Sequence, residues 1–443
     1  MRLRPVLPAL LLGLMAVPPA TPQPAEEFLD IYTEHPRLFL RAQRLRLLQR
    51  ERERESMRWT QFQRLIAGNA PLPEPGFALA LYYQVAQDEE AARRAIAFAL
   101  SAKADLRQQA LVFDWCQPAL RPEERQALAG RLAEGLRAPR KPGAAAQRDR
   151  LLAAVALAGD APEAAREIEY AVREWWRAGI VPKLRAGEHP LARTDSFALL
   201  ELLHAVRDNT QVELREGFRQ FFVDLPIFHL LSYYPPSYPA AENEYHIPWA
   251  PGIREPDLDA AALSRVAELA MVAYDTNAPE TQVLQGWLMN DRFLLRGPFG
   301  APYEFLWANP YQPGLSYFHV PLVFYSAHFG RLFARSSWDE DATWLGFAGG
   351  ELQVFMDGSP EILPSGSKAD VPEALVMPGT PGKRLVVEVG DEQTLFFVGV
   401  PPNQPFDIEI DDQELYEKRS DPGGVLVVDA PRGRTAGILV RAR

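Results

Sequence analysis

The segment PAAENEYHIPW, residues 239–249, concentrates side chains that could carry out acid–base chemistry. Tyr245 and His246 form the candidate catalytic pair, because such side chains can take a proton from a substrate and return one to it. An unperturbed tyrosine has a pKa of about 10, so it needs a cationic neighbour to act as a base, and Arg254 is the nearest in sequence. The other candidate substrate ligands of this segment are Asn243, Glu244 and Trp249.

The flanking prolines support a second interpretation of the same segment. Five prolines at 235, 236, 239, 248 and 251 suit a rigid loop whose aromatic rings only cap the fold. Paired carboxylates are a third possibility, because Glu242 and Glu244 could serve a glycosidase, although two residues of spacing in one loop do not define the separation that this reaction needs.

Further candidate substrate-binding residues lie elsewhere in the chain. His189 and Arg193 stand in a loop between predicted helices, where they could line the mouth of a cleft or simply be solvated. Trp307 and Tyr311 could stack on sugar rings or pack between domains, and His319 could face a cleft near the domain junction. No spacing is specific for a metal site, and no Walker loop, dinucleotide fingerprint or nucleophile elbow is present. The sequence therefore predicts no metal and no cofactor.

The elements that must position these residues change in character along the chain. Apolar residues recur at helical spacing through the first 300 residues, which predicts helices. Stretches such as FALALYYQVA are apolar nearly all round, so these helices should be buried between others. We expect them to stack as αα-hairpins, in a solenoid or a closed toroid. Later runs such as KRLVVEVG and TLFFVGVP are typical of strands in an antiparallel sandwich. We expect a helical domain at 26–300, a linker at 301–328 and a β-sandwich at 329–443.

Composition and the N-terminus restrict the classes of partner. The 443-residue chain has a net charge of −11 and no long basic block, which argues against nucleic acid. The start, MRLRPVLPALLLGLMAVPPATPQPA, reads as a signal peptide over residues 1–20, which predicts a periplasmic or secreted protein without a membrane anchor after cleavage. Cys116 is the only cysteine, so no intramolecular disulfide can form, and this favours a bacterial origin.

Three stretches resemble, in the same order, segments of the heparinase II/III-like polysaccharide lyases. They are HPRLFLRAQRLRLLQR at 35–50, LLAAVALAGD at 151–160 and GRLFARSSWDEDATWLGFAGG at 330–350. The resemblance implies an incomplete α/α toroid followed by an antiparallel β-sandwich, with a cleft between them that takes an acidic polysaccharide. It also implies β-elimination, in which a base removes the C5 proton of a uronate, and it carries the role of the family's toroid tyrosine over to Tyr245.

Two departures from the family's pattern bear on activity. The histidine-rich segment that follows the tryptophan strand is absent, since GFAGGELQVFMDGSP has no histidine and His328 is the last in the chain. The family's Asn-His pair is also missing, and Gln147 and Arg148 stand near its place. Both departures argue against ordinary lyase activity. Two readings stay open: an exported lyase that acts on a uronate polymer through Tyr245 and His246, or a non-catalytic relative that binds glycan through cleft aromatics.

Overall fold

The computed structural model describes residues 29, 31–32, 34–240, 243–253, 255–291, 293–379, 384–412 and 414–443. The predicted signal peptide, Glu242 and Arg254 lie outside these residues. In the described part, no helix is long and apolar enough to cross a membrane. The α-helices are α1 Ala42–Glu53, α2 Met57–Ala67, α3 Pro75–Ala86, α4 Glu89–Ala99, α5 Leu106–Trp115, α6 Pro122–Arg137, α7 Ala144–Ala156, α8 Pro162–Tyr170, α9 Val181–Arg185, α10 Ser196–Thr210, α11 Arg219–Leu231, α12 Leu258–Tyr274, α13 Pro279–Asn290 and α14 Gly300–Trp307.

The helices form a toroid with an inner ring. Helices α3, α5, α7, α10, α12 and α14 contact one another in that order, and α14 also contacts α2 and α3. Each inner helix is buried along most of its length, because its sequence is apolar on nearly every face. Helices α4, α6, α8 and α13 pack against the ring from outside, and α8 continues through a π-helical segment, Ala171–Ile180, into α9.

The motif HPRL at 35–38 connects two inner helices. The Asp114 carboxylate at the end of α5 accepts the backbone N–H groups of Arg37 and Leu38. The Arg37 guanidinium then donates to three carbonyl oxygens at the C-terminal end of α7, those of Val155, Ala156 and Ala158. The motif that carries the family resemblance here therefore has a structural role in the toroid.

The C-terminal region is built from three stacked sheets. Their strands are β3 Val323–Ser326, β4 Arg331–Arg335, β5 Trp344–Ala348, β6 Glu351–Met356, β7 Ser359–Ile362, β8 Ala369–Val371, β9 Ala374–Pro378, β10 Leu385–Val389, β11 Thr394–Val398, β12 Pro405–Ile410, β13 Glu414–Arg419, β14 Val425–Val428 and β15 Arg434–Ala442. The orders are β3-β4-β5-β6-β7, β14-β11-β9-β8 and β10-β15-β12-β13, and a hairpin of β1 Tyr238–Pro239 and β2 Glu244–Tyr245 lies within the helical region.

The predicted order, a helical toroid followed by a β-sandwich, is confirmed. The expectation of purely antiparallel pairing needs one correction, because β9 and β11 run parallel. The middle sheet is apolar on both faces: Leu375 and Met377 of β9 enter the core shared with the outermost sheet, and Val376 enters the core shared with the first sheet. Side chains on a strand alternate between faces, so such a strand serves two cores at once. The stretch at 301–328 carries most of α14, a 3-10 turn and β3.

The first sheet packs its other face against the helices. Phe333 and Trp344 belong to the core of the toroid, and the Trp344 indole N–H donates to the carbonyl oxygen of Leu231 at 2.7 Å. Phe228 of α11 stacks near Phe329 with ring centroids 4.7 Å apart. The helical region and the first sheet therefore share one apolar core, and the groove at its edge has a rigid frame.

Candidate functional site

A cavity of about 240 Å³ lies between the helical region and the first sheet. The ends of α11 and α13, the 232–246 segment, the 3-10 turn Tyr317–His319 and the turn after β4 form its walls. Its aromatic lining consists of Tyr233, Tyr234, Trp287, Tyr317 and Trp338. Its polar lining consists of Ser237, Glu244, His246, Asn290, Asp291, Arg335 and Glu340. Many apolar rings with a few convergent polar groups are the usual composition of a small-molecule site.

The described part of the segment 232–249 folds back on itself between α11 and α12. Trp249 N donates to Ser232 O at 2.9 Å, and Tyr234 N donates to Ile247 O at 3.2 Å. Because extended backbone alternates its side chains, Glu244 and His246 line the cavity whereas Tyr245 points to the other side. There Tyr245 packs on Phe293, with ring centroids 4.6 Å apart.

His246 is held by a buried carboxylate. Its Nε2 lies 3.0 Å from Asp291 Oδ1, and the other oxygen of Asp291 accepts from Arg265 Nη1 at 3.0 Å. Burial alone would raise the pKa of Asp291, but the hydrogen bond with His246 and the charge of Arg265 hold that pKa below its ordinary value. A carboxylate on one ring nitrogen fixes the orientation of an imidazole. The ring of His246 is therefore held in place at the wall of the cavity.

Arg335, the last residue of β4, is the one arginine among the described lining residues of the cavity, whose carboxylates are Glu244, Asp291 and Glu340. Its side chain is buried, with 5% of the residue exposed, and it makes no ion pair with any carboxylate in the described part of the chain. It donates only to backbone carbonyls, from Nε to Ser337 O at 2.5 Å and from Nη2 to Asp339 O at 3.4 Å, and it lies over the Trp338 ring. Desolvation lowers the pKa of Arg335 to about 10, although Tyr317 and Asp339 act in the opposite direction, so the burial of this positive charge is only partly compensated.

A buried network fixes the ring of Tyr233 from behind. The Tyr233 hydroxyl donates to Glu268 Oε1 at 2.6 Å, and the Arg193 guanidinium lies 4.6 Å from the centre of the ring. His229 also contacts Glu268 Oε1, with Nδ1 at 3.2 Å. Burial raises the pKa of Tyr233 well above its usual value, so the phenol stays protonated and serves as a platform rather than as a base.

A second, more apolar cavity of about 330 Å³ adjoins the first. The two share Tyr234 and Ser237, and the second is lined mainly by proline and aromatic residues, including Trp249 and Tyr238. The Tyr234 hydroxyl donates to Gln353 Oε1 at 2.5 Å, which holds its ring between the two spaces. A ligand longer than one ring could therefore extend from the polar cavity across Tyr234 into the apolar one.

The remaining candidate residues from the sequence lie in several places. Asn243 donates from Nδ2 to Leu294 O at 2.6 Å and anchors the loop. Trp249 lines the apolar cavity, and Arg193 supports Tyr233. His189 lies beside Gly330 at the junction of the helical and β regions, where burial lowers its pKa. The other three line neither cavity: Trp307, 1% exposed, Tyr311, 51% exposed, and His319, which is exposed on the 3-10 turn that borders the first cavity.

Sequence reasoning missed the groups that complete the cavity. Trp287 resembled an ordinary member of an apolar helical stripe, and Asp291 follows α13 without any motif. Arg335 and Trp338 belong to the FARSSW stretch that carries part of the family resemblance, but that resemblance indicates a fold and assigns these two residues no role. The one sequence signal that could have pointed to them was an arginine followed three residues later by a tryptophan at the end of a predicted strand.

Comparisons with known proteins leave the family open. No family model matches the sequence, and no curated protein matches it. Among solved structures, the chain is similar to a protein described as a glycoside hydrolase, with a TM-score of 0.30 and 10% sequence identity over 83% of this chain and 71% of that chain. A likeness at that level carries no functional argument. In the described residues, no group of three or more His, Cys, Asp or Glu side chains is arranged to hold a metal ion.

Proposed function

We propose that this protein binds an acidic carbohydrate of the uronate class in the cavity between the toroid and the first sheet. The observation that carries the proposal is Arg335, a buried guanidinium that forms no ion pair with a carboxylate among the described residues and whose pKa burial lowers to about 10. A sugar carboxylate would supply the missing negative charge and could accept two parallel N–H bonds from the guanidinium.

The rings around Arg335 favour a sugar over a smaller anion. Trp287, Tyr317 and Trp338 present flat apolar faces in the same cavity as the hydrogen-bonding groups of Asn290 and Glu244. A pyranose ring has apolar faces of C–H groups and a rim of hydroxyls, so it matches walls of this mixed character. The adjoining apolar cavity beyond Tyr234 supports a ligand of more than one residue, which is the form expected of a polymer.

In the catalytic form of the proposal, the reaction is β-elimination. His246, oriented by Asp291, takes the C5 proton of the uronate, the C4–O4 bond breaks, and a C4–C5 double bond forms. Arg335 neutralises the carboxylate next to C5, which makes that proton more acidic. The departing O4 takes a proton from a hydroxyl at the cavity wall. We assign this hydroxyl to Tyr317, which lines the cavity. This assignment moves the base from Tyr245 to His246.

A non-catalytic binding protein is the second candidate function. Two observations favour it: Tyr245 lies against Phe293 rather than in the cavity, and the chain carries no histidine after His328. In this form Arg335 and the aromatic rings hold the glycan, and no proton is transferred. The predicted signal peptide makes export part of either proposal, which N-terminal sequencing of protein recovered from the periplasm or medium would test.

The test uses the mature protein with heparan, chondroitin, alginate and related uronate polymers. Lyase activity is read from the ultraviolet absorbance of the new C4–C5 double bond, and binding from affinity electrophoresis on the same polymers. Loss of the absorbance signal in His246→Gln, with retention in Tyr245→Phe, would support the catalytic form. Tyr170→Phe is the control, because its ring packs on the Arg140 guanidinium at the end of α8 and lines neither cavity. Binding without absorbance would support the non-catalytic form, and neither binding nor absorbance would refute both.

A further inference from the structure

A further cavity, larger than the two above, lies away from the proposed carbohydrate site and is strongly basic. It has a volume of about 740 Å³ and is lined by five arginines, Arg41, Arg44, Arg46, Arg50 and Arg207, with Asp208 as its one carboxylate. This leaves a formal excess of four positive charges in a protein whose net charge is −11. His204 also lines the cavity, but burial holds its pKa well below the usual value, so its ring is neutral.

This cavity lies at the opposite end of the toroid from the proposed carbohydrate site. It is formed where α10, α12 and α14 end, whereas the carbohydrate site lies where α11 and α13 end. Short connections make α11 and α13 antiparallel to α10 and α12. Along α12, Arg265 reaches Asp291 of the first site, and Tyr274 lines the arginine cavity, roughly 13 Å further along the helix axis.

Three of the arginines have a structural task that accounts for their presence. Arg41 donates to Asp208 O at 2.5 Å, and Arg207 donates to Tyr274 O at 2.5 Å. Arg44 donates to Leu306 O at 3.1 Å. Each therefore satisfies a carbonyl at the end of an inner helix, where the helix dipole favours a cation.

The other two arginines have no such task. Arg46 and Arg50 are exposed, stand four residues apart on α1 and make no ion pair with any carboxylate in the described part of the chain. Like charges at this spacing destabilise a helix. Arg44 is also unfavourably placed in α1, because it lies in the first turn, where there is no acidic residue and the dipole disfavours a cation.

We propose that this cavity binds a compact polyanion that carries at least two phosphate or sulfate groups. Arg46 and Arg50 supply the charge for one group, and the unused N–H groups of Arg44 and Arg207 supply it for another. A single small anion would leave most of this charge uncompensated, and a monoanionic sugar would do the same. Both phosphate and sulfate esters have the required chemistry, so the two sources are separated by the choice of probe.

The experiment is titration calorimetry of the mature protein at low ionic strength, with tripolyphosphate as one probe and a disulfated disaccharide as the other. At least one probe should bind, and its affinity should fall as salt is added. The double variant Arg46→Gln/Arg50→Gln should weaken that binding by roughly tenfold or more, because it removes two cavity charges that form no ion pair with a carboxylate among the described residues. The arm that binds more tightly identifies the source of the oxyanion.

The control is Arg64→Gln/Arg432→Gln, which makes the same change in net charge at exposed arginines outside the cavity. Its affinity should equal that of the unaltered protein, and all variants should keep the same Tm. The proposal fails if neither probe binds, or if the control weakens binding as much as the cavity variant does. The carbohydrate proposal is independent of this result, because Arg335→Gln should leave probe binding unchanged.

Discussion

Arg335→Gln tests the electrostatic argument for the carbohydrate site most directly. Glutamine keeps a hydrogen-bond donor near the Ser337 and Asp339 carbonyls but removes the buried charge. Arg331→Gln is the matched control. It removes a second arginine from the same strand, which is partly buried and whose pKa desolvation also lowers to about 10, but which lines a different space beside Phe228.

The size of the effect follows from the cost of the unpaired charge. Lowering the pKa of Arg335 to about 10 corresponds to a desolvation cost of about 3 kcal/mol in the protein without ligand. A bound carboxylate would recover much of that cost. Since about 1.4 kcal/mol is tenfold in affinity, we expect Arg335→Gln to weaken binding of an acidic oligosaccharide by up to roughly a hundredfold. The Tm should change little, because relief of the buried charge offsets the lost backbone bonds.

The assay is a Kd measurement on an unsaturated or saturated uronate oligosaccharide and on its carboxyl-reduced form. The unaltered protein should prefer the acid, and Arg335→Gln should bind the acid and the reduced sugar almost equally. Arg331→Gln should keep the preference. The reasoning is refuted if Arg335→Gln retains the preference for the acid, or if both arginine variants lose it to the same extent.

Three further predictions concern the fold. Glu201→Gln should lower the free energy of unfolding by about 3–5 kcal/mol, measured by urea denaturation, because it leaves the buried guanidinium groups of Arg107 and Arg148 without their shared carboxylate. Burial lowers the pKa of His229 to about 4, so as the pH falls from 6.5 to 4 this side chain takes up a proton in the unfolded chain before it does so in the folded protein. The folded state therefore loses stability over that range, and His229→Gln should reduce this loss by about 3 kcal/mol. Gly286→Ala should destabilise by about 1–3 kcal/mol, because its Cβ would lie 1.8 Å from the carbonyl oxygen of Leu315.

Each of these three has its own control. Glu169→Gln removes an exposed carboxylate and should lower the free energy of unfolding by less than about 1 kcal/mol. An equally small effect of Glu201→Gln would contradict the argument that burial makes the Glu201 ion pairs important. For His229, the measurement is urea denaturation at pH 7 and near pH 4, and an unchanged pH dependence would contradict the neutral, buried assignment. Gly130→Ala meets nothing within 4 Å and should stabilise by about 0.5–1 kcal/mol, so both glycine variants shifting in one direction would count against the close-packing argument.

Much of the architecture followed from local patterns. The apolar faces of α3 and α7 predicted helices buried between others, and the short β-branched runs after residue 320 predicted a β region. The parallel pairing of β9 with β11 did not follow, because pairing direction depends on which distant strand lies adjacent. The third sheet was missed for the same reason, since β9 alternates between two apolar cores and its sequence does not say how many layers surround it.

The same distinction between local sequence and tertiary packing applies to the candidate site. The sequence by itself determined that one proline-bounded segment carries Glu244, Tyr245 and His246, and extended backbone required that the middle residue face away from the other two. Only the tertiary structure decided which face meets the cavity, because that depends on α13 and the first sheet closing around it. It also decided the role of Arg335, since an arginine becomes an anion-binding group only when burial removes its solvent and no carboxylate forms an ion pair with it. Those conditions depend on residues distant in the chain, and local sequence patterns do not record them.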